Sequence, residues 1–368
     1  MPPPTLPALC AAVAERRGVS ALVAGASQAG ARDVAARGCL RSTRFHVASV
    51  TKPVTAAIVS SVVALDAPAP PWAGVSVAQL LSHLSGRASE LGELARFGVD
   101  DGALSRLAGE LSAVPQLVAP GTCWSYANAG YWLAASIAER EAATTYEALV
   151  SAFCARIGLV DTDFGSSELA TAPYARARRA SGGLVSTVDD LLSLGEWLGG
   201  DDAAKLRVDL ARTVRGVYGL GVAGERRAGR LLWGHGGSWG GFETSLFVAP
   251  EERLVVAVIA HGGEVRAACR EIEDALLGAV AHAELELDHD HDVLERLAGR
   301  YANDAVEAEI SVDGGRLVLT TAVEGSAAAR AIGPATFEVL EGRRERSLFD
   351  FPLPGFIRID SRLAARVQ

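Results

Sequence analysis

The stretch Phe45-His46-Val47-Ala48-Ser49-Val50-Thr51-Lys52-Pro53 decides how the rest of this chain is read. Thr51-Lys52-Pro53 places proline within a first helical turn, and Val54 to Val63 follows without glycine, so a helix is expected to begin close to Ser49. A serine and a lysine three apart on such a helix share one face, with about 5 to 6 Å between their Cβ atoms, and the amine reaches the hydroxyl. N–H groups at a helix N-terminus lack intrahelical partners and favour a developing negative charge, as acyl transfer from an ester or amide produces. The stretch therefore pairs a nucleophile with a candidate base.

With 26 serines and two lysines in 368 residues, S-x-x-K arises by chance in about one such chain in seven, so the surrounding sequence must carry the rest. Lys52 and Lys205 are the only lysines, and the other basic residues are arginines. Arginine keeps its proton and cannot act as a base, whereas a desolvated lysine can.

Composition narrows the function class. At 49% hydrophobic and 21% charged residues the chain is globular, and its length allows two or three domains. A net charge of -9 with scattered arginines argues against a nucleic-acid partner, and no apolar run approaches the ~20 residues of a membrane span. Met1 to Leu9 carries no Lys or Arg, and Glu15-Arg16-Arg17 follows the short apolar stretch at once. This reads as a surface helix and not a secretory signal, so the expected compartment is the cytoplasm. Cys10, Cys39, Cys123, Cys154 and Cys269 are odd in number and widely spaced, the pattern of reduced thiols with no metal site and no disulfide framework. Nothing calls for a cofactor.

Along the chain, Val19 to Ser27 and Arg32 to Ala36 read as a strand pair that leads into the Ser49 helix. Ala67-Pro68-Ala69-Pro70-Pro71 breaks the pattern, and apolar spacing is mostly helical from there to about Gly199, as in a helical subdomain of residues 67–200. Tyr218 to Val222, Arg230 to Trp233, Glu243 to Ala249 and Arg253 to Ala260 read as an antiparallel meander, and Glu264 to Ala281 as one amphipathic helix. The expected fold class is α/β (α+β), an antiparallel sheet from both ends of a catalytic domain of residues 1–287, flanked by helices and a helical subdomain. Asp288-His289-Asp290-His291-Asp292 reads as a solvated linker (288–293) and not as a metal site, because alternating ligands on a flexible segment have no set geometry. Residues 294–368 read as a small all-β domain, with a hairpin signal at Asp313-Gly314-Gly315 and strands at Phe337 to Leu340 and Phe356 to Ile359.

An acyl-transfer site also needs a proton carrier and oxyanion donors. Tyr126-Ala127-Asn128, before a helix beginning near Tyr131, offers a phenol whose phenolate a nearby ammonium would stabilise and an amide to hold Lys52. Gly234-His235-Gly236-Gly237-Ser238, read as preceding a strand, lets backbone approach a ligand closely, and the N–H groups of Ser49 and Ser238 would then form an oxyanion hole. His261-Gly262-Gly263 is a competing triplet.

The order Ser49-Val-Thr-Lys52, Tyr126-Ala-Asn128 and His235-Gly-Gly237 resembles the serine β-lactamase and penicillin-binding-protein superfamily, in its class C-like branch of esterases, D-amino-acid peptidases and transacylases. Leu80 to Gly86, Pro120 to Tyr131, Gly158 to Phe164, Ser181 to Thr187 and Gly234 to Pro250 look like further signatures in family order, within about residues 19 to 263. The resemblance implies Ser49 as nucleophile, Lys52 as its proton acceptor or electrostatic partner, and Tyr126 as general base and acid. It also implies Asn128 as a substrate-positioning amide, His235, Gly236 and Gly237 on the strand lining the cleft, and His83 and His261 as structural residues. The segment from Leu294 looks like the lipocalin-like domain of some D-peptidases and peptide-cyclising members.

Two departures shape the expected function. His235 stands where β-lactamases place a lysine, which weakens β-lactam binding, and the lack of a secretion signal removes peptidoglycan as a target. The expectation is an intracellular serine hydrolase or acyltransferase acting on a small-molecule or peptide acyl donor. Its acceptor is water or an amine, as in antibiotic or peptide natural-product biosynthesis. Trp124 and Trp239 are expected to wall an apolar acceptor pocket. The alternatives are a D-amino-acid-specific peptidase, a peptide-cyclising thioesterase-like enzyme, or a non-catalytic ligand-binding module. No oligomeric state is read from the sequence.

Overall fold

The computed structural model describes residues 4–167, 169, 174–278, 287, 289–322, 325–340, 347–359 and 361–367. Helix α1 (Leu6–Arg17) precedes the hairpin β1 (Ala21–Gln28) and β2 (Ala31–Arg37), then comes the short strand β3 (Phe45–His46). A 3-10 turn at Ala48–Val50 carries Ser49 directly into α2 (Thr51–Val62). Thr51 to Val59 are all buried, so this helix is surrounded by protein along its first turns. Around it lie α3 (Val77–Leu81), α4 (Ala103–Glu110), α5 (Asn128–Ala142), α6 (Tyr146–Ile157) and the single turn α7 (Arg179–Gly182). Strand β4 (Val185–Ser186) pairs with β3, and α8 (Val188–Gly199) then crosses the main sheet.

The main sheet is completed by β5 (Ala211–Arg212), β6 (Gly216–Tyr218), β7 (Ala223–Arg227), β8 (Arg230–Trp239), β9 (Phe242–Ala249) and β10 (Leu254–His261). Its strand order is β2-β1-β10-β9-β8-β7-β6-β5, which pairs the N-terminal hairpin with the late strands in one sheet. Strand β10 is buried on both faces, and its unbroken apolar run Leu254 to Ala260 reflects that. Val255, Ala257 and Ile259 face the α8 side with Val188 and Leu192, while Val256, Val258 and Ala260 meet α1 and α9 (Val265–Leu277) through Val13, Cys269 and Ile272.

Three sequence expectations change here. The strand expected at Tyr218 to Val222 ends at Tyr218, because Gly219 to Val222 turns back and the Gly221 N–H donates to Leu81 O over 3.0 Å. Strand β8 runs on through Gly234 to Trp239, so the glycine-rich motif lies within a strand and not before one. Helix α9 ends at Leu277, and residues 279–281 of the expected helix lie outside the described residues.

The His/Asp tract is not a free connector where it is described. Asp290 caps α10 (His291–Leu297), its carboxylate accepting the Asp292 N–H at 3.0 Å, and the His289 ring lies 5.7 Å from Phe337. Asp288 lies outside the described residues.

From Gly299 the chain forms a closed barrel of eight antiparallel strands. These are β11 (Gly299–Ala302), β12 (Glu307–Asp313), β13 (Arg316–Thr321), β14 (Gly325–Gly333), β15 (Thr336–Val339), β16 (Leu348–Leu353), β17 (Phe356–Ile359) and β18 (Arg362–Val367). Tyr301, Ile310, Leu319, Phe337, Phe349 and Ile357 fill its interior. Closure removes the edge strands that would otherwise recruit another chain. No helix among the described residues is long and apolar enough to cross a membrane.

The barrel docks on the segment just before α5. The Tyr126 N–H donates to Ser361 O (2.8 Å), the Leu363 N–H to Ser125 Oγ (3.1 Å), and Arg358 Nη1 to Trp124 O (3.0 Å). Arg358 is itself held by the buried carboxylate of Asp350.

Candidate active site

Ser49 lines a cleft of about 590 Å³, partly exposed, at the head of a helix whose first turns are buried. Lys52, one turn along the same face, is fully buried and its Nζ lies 3.1 Å from Ser49 Oγ. The amine also donates to Asn128 Oδ1 (2.8 Å) and to the main-chain oxygen of Ser181 (2.5 Å). The Ser181 carbonyl is brought there by α7, which is tied to α2 through Thr55 Oγ1 and Ala180 O (2.7 Å). On the other side of Ser49, the Tyr126 hydroxyl donates to its Oγ at 2.7 Å. The structure thus brings Ser49, Lys52, Tyr126 and Asn128 together, although 79 positions separate the first from the last.

Burial sets the protonation states. It holds the Lys52 ammonium well below the ordinary lysine value, with the Glu90 carboxylate pulling it up and the Arg362 and Arg178 cations pushing it down. The same burial pushes the Tyr126 phenol well above its usual value, against its hydrogen bond to Ser49 and the pull of Arg362. Burial thus disfavours both members of the ammonium–phenolate pair expected from the sequence, because both charged forms lose water here. In the neutral form that burial favours, the amine has two N–H donors, which Asn128 Oδ1 and Ser181 O engage. In that form its lone pair faces Ser49 Oγ.

Strand β8 forms the opposite wall. A Cβ on Gly237 would lie 2.3 Å from Val47 O and 2.8 Å from Ser49 N, so only glycine lets the strand approach the Ser49 amide this closely. Gly236, by contrast, has nothing within 3.8 Å of such an atom. Ser238 follows on the same strand and lines the cleft.

His235 is buried and its Nε2 lies 3.0 Å from the Tyr218 hydroxyl, while Nδ1 contacts Gly236 O. A carbonyl can only accept, so Nδ1 carries the proton and Nε2 accepts from Tyr218. Burial, and secondarily Lys52, pushes the imidazole down to about 3, so it is a neutral wall and not a fixed charge. His83 lies against the other side of Tyr126, with ring centres 4.3 Å apart, and its Nδ1 accepts the Ala127 N–H at 3.0 Å. His83 therefore holds the Tyr126 segment in place. His261 ends β10 and packs on Phe242 with ring centres 4.5 Å apart.

The two tryptophans do not wall the cleft. Trp124 is buried against Ala211 and Tyr218 beneath the barrel, with the Arg358 guanidinium 5.6 Å above its ring. Trp239 packs on His46 (4.8 Å) and Tyr174 (5.1 Å) beyond the last cleft residue of its strand. Past Ser49 the cleft is instead lined by charged residues of both signs among others, with Arg215, Glu225, Glu243, Arg266 and Glu273 among them. Helix α5 begins at Asn128, three residues before the expected start near Tyr131, which makes Asn128 its first residue.

Two residues at the site carry no sequence signal. Glu90 accepts from Asn128 Nδ2, and Arg362 of the barrel reaches Glu90 at 3.4 Å while lying 5.7 Å above the Tyr126 ring. Ser361 and Arg362 line the same cleft as Ser49, so the barrel forms part of its roof.

This geometry can be set beside that of known proteins. The Beta-lactamase family model matches residues 6–279. The chain belongs to the β-lactamase family. Members with this fold are serine hydrolases. Within the family, the D-aminopeptidase of Cereibacter sphaeroides (strain ATCC 17029 / ATH 2.4.9) is 27% identical over 195 residues, 43% of this chain and 36% of that protein. The match thus spans about a third of that relative's length. Among solved structures, SurE with D-Leu superposes with a TM-score of 0.78 at 20% identity, over 98% of each chain. The octameric penicillin-binding protein homologue from Pyrococcus abyssi does so with a TM-score of 0.63 at 18% identity, over 97% of this chain and 98% of that one. At these identities the structural likeness concerns the fold, and in SurE it extends through the barrel.

Proposed function

We propose that this protein is a serine acyl-enzyme catalyst that cleaves an amide or ester of a D-amino acyl group. The observation that carries the reading is the placement of Ser49 Oγ between Lys52 Nζ at 3.1 Å and the Tyr126 hydroxyl at 2.7 Å. As Ser49 Oγ attacks the carbonyl carbon, its proton passes to the neutral amine of Lys52. The oxyanion is held by the N–H groups of Ser49 and Ser238, each contributing on the order of 3 kcal/mol. Tyr126 then protonates the departing nitrogen or oxygen as its bond to carbon breaks, and the Lys52 ammonium returns a proton to the phenolate. Water attacks the acyl-serine along the reverse path.

The D-configuration is supported by the names of the D-aminopeptidase relative and of the D-Leu complex of SurE. Release to an amine is the second reading. It is favoured by the barrel, whose Ser361 and Arg362 line the cleft beside Ser49 and take up surface that would otherwise be open to water. The test compares D- and L-aminoacyl p-nitroanilides and esters, with and without hydroxylamine as competing acceptor. The expected result is D-preference that disappears in Ser49→Ala. Turnover that survives in Ser49→Ala removes the reading, and a hydroxamate outpacing the free acid selects the amine acceptor.

A further inference from the structure

Asn128 works only in one orientation. With Oδ1 toward Lys52 its amide leaves a lone pair of the amine for Ser49, whereas a flipped amide would set Nδ2 against Nζ, donor against donor. Nothing in the Asn128 side chain chooses between these orientations. Glu90 does, because a carboxylate only accepts, and its Oε1 is met by Asn128 Nδ2. Glu90 in turn is held from the barrel on two sides. Its main-chain N–H donates to Asp304 Oδ2 (2.5 Å), and its carboxylate faces Arg362 Nη2 at 3.4 Å. Arg362 follows Ser361, whose carbonyl accepts the Tyr126 N–H, and its guanidinium lies over the Tyr126 ring.

We propose that Glu90 and Arg362 are positioning residues of the acylation site, a carboxylate from the catalytic domain and a guanidinium from the barrel that together fix the Asn128 amide toward Lys52. The barrel is then a working part of the catalyst and not an appended module. The inference rests on Ser49 acylation as proposed above and goes beyond it, since 272 positions separate the pair and neither residue touches the nucleophile.

The same pair has opposite electrostatic effects on Lys52. The charged or titratable groups around this amine are Tyr126, Tyr131, His83, His235, Arg178, Glu90 and Arg362. Both histidines are held neutral by burial and both phenols stay protonated, which leaves Glu90 favouring the ammonium and Arg178 and Arg362 opposing it. Loss of the carboxylate therefore lowers the pH at which the neutral amine appears, and loss of the guanidinium raises it.

The experiment measures the pH dependence of Ser49 acylation by a p-nitrophenyl ester for the full-length protein and for Glu90→Gln, Arg362→Gln, Arg362→Lys and the double Gln variant. The acidic limb is expected to move down by about half a unit or more in Glu90→Gln and up by a similar amount in Arg362→Gln. It should stay in place in Arg362→Lys and return toward the wild-type position in the double variant. Glu90→Ala, which also frees the Asn128 amide, is expected to lose at least about tenfold in acylation rate across the pH range. A limb that stays put in both single variants, or moves the same way in both, overturns the proposal and reduces Arg362 to a barrel anchor. Melting temperatures separate that outcome from misfolding, because Arg362→Lys keeps the dock. Should the wild-type protein form no acyl-enzyme, Ser49 catalysis itself falls. If it acylates with unmoved limbs, only the positioning role does.

Discussion

The main-chain N–H of Tyr126 donates to the carbonyl of Ser361 across 2.8 Å, so the residue whose hydroxyl touches the nucleophile is held by the turn that opens the last barrel strand. The phenol and the barrel cannot move independently. Loosening the dock is therefore expected to appear first in catalysis.

Arg358→Met tests that coupling. The substitution leaves the Asp350 carboxylate buried without its partner and removes the contact to Trp124 O, which should cost about 3 to 5 kcal/mol. Differential scanning calorimetry is expected to show the loss of stability. Steady-state kinetics should show a fall in kcat larger than any rise in KM, because what is disturbed is the placement of Tyr126.

Gly237→Ala is expected to cut kcat/KM by about 100-fold or more, since its methyl would meet Val47 O at 2.3 Å and Ser49 N at 2.8 Å. The neighbouring Gly236→Ala meets nothing within 3.8 Å and should leave the fold unchanged. Equal effects from the two variants would mean that the strand does not press on the nucleophile as described.

His235 gives an acid signature. Its folded value of about 3 lies below the free imidazole at about 6.5, so the unfolded chain binds the extra proton between these limits. Stability is full above pH 6.5 and falls as the pH drops toward 3, by on the order of 5 kcal/mol once protonation is complete. Urea titrations at pH 7 and pH 4 should show a smaller acid loss in His235→Asn than in the wild type.

Lys52→Met should slow acylation at least about 100-fold yet flatten the pH dependence of stability. Because burial holds the folded amine below the free lysine value, the unfolded chain carries more protons between the two, and wild-type stability rises with pH across that window. Below the window Lys52→Met is expected to be the more stable protein by chemical denaturation.

Much of this was legible in the sequence where local signals and tertiary demands agree. The apolar run of β10, the hairpin of β1 and β2, and the Ser49 and Lys52 pair on one helical face all follow from spacing alone. Strand β7, Ala-Gly-Glu-Arg-Arg, does not look like a buried strand, yet Glu225 and Arg227 are buried because Arg227 meets Glu273, 46 positions away. Strand β14 is alanine-rich, with little strand preference of its own, and pairing on both sides within the barrel holds it extended. Glu90 and Arg362 were invisible for a related reason. Each is one ordinary surface-type residue in its own neighbourhood, and their meaning comes only from barrel closure and docking.

The central claim is covalent loading of Ser49, and intact-mass spectrometry of the protein quenched during turnover of a D-aminoacyl ester tests it most directly. The account predicts a mass increase equal to one acyl group, mapped to the peptide containing Ser49, absent in Ser49→Ala and formed at least about 100-fold more slowly in Lys52→Met and Tyr126→Phe. Turnover without any adduct, together with an active Ser49→Ala, would contradict it.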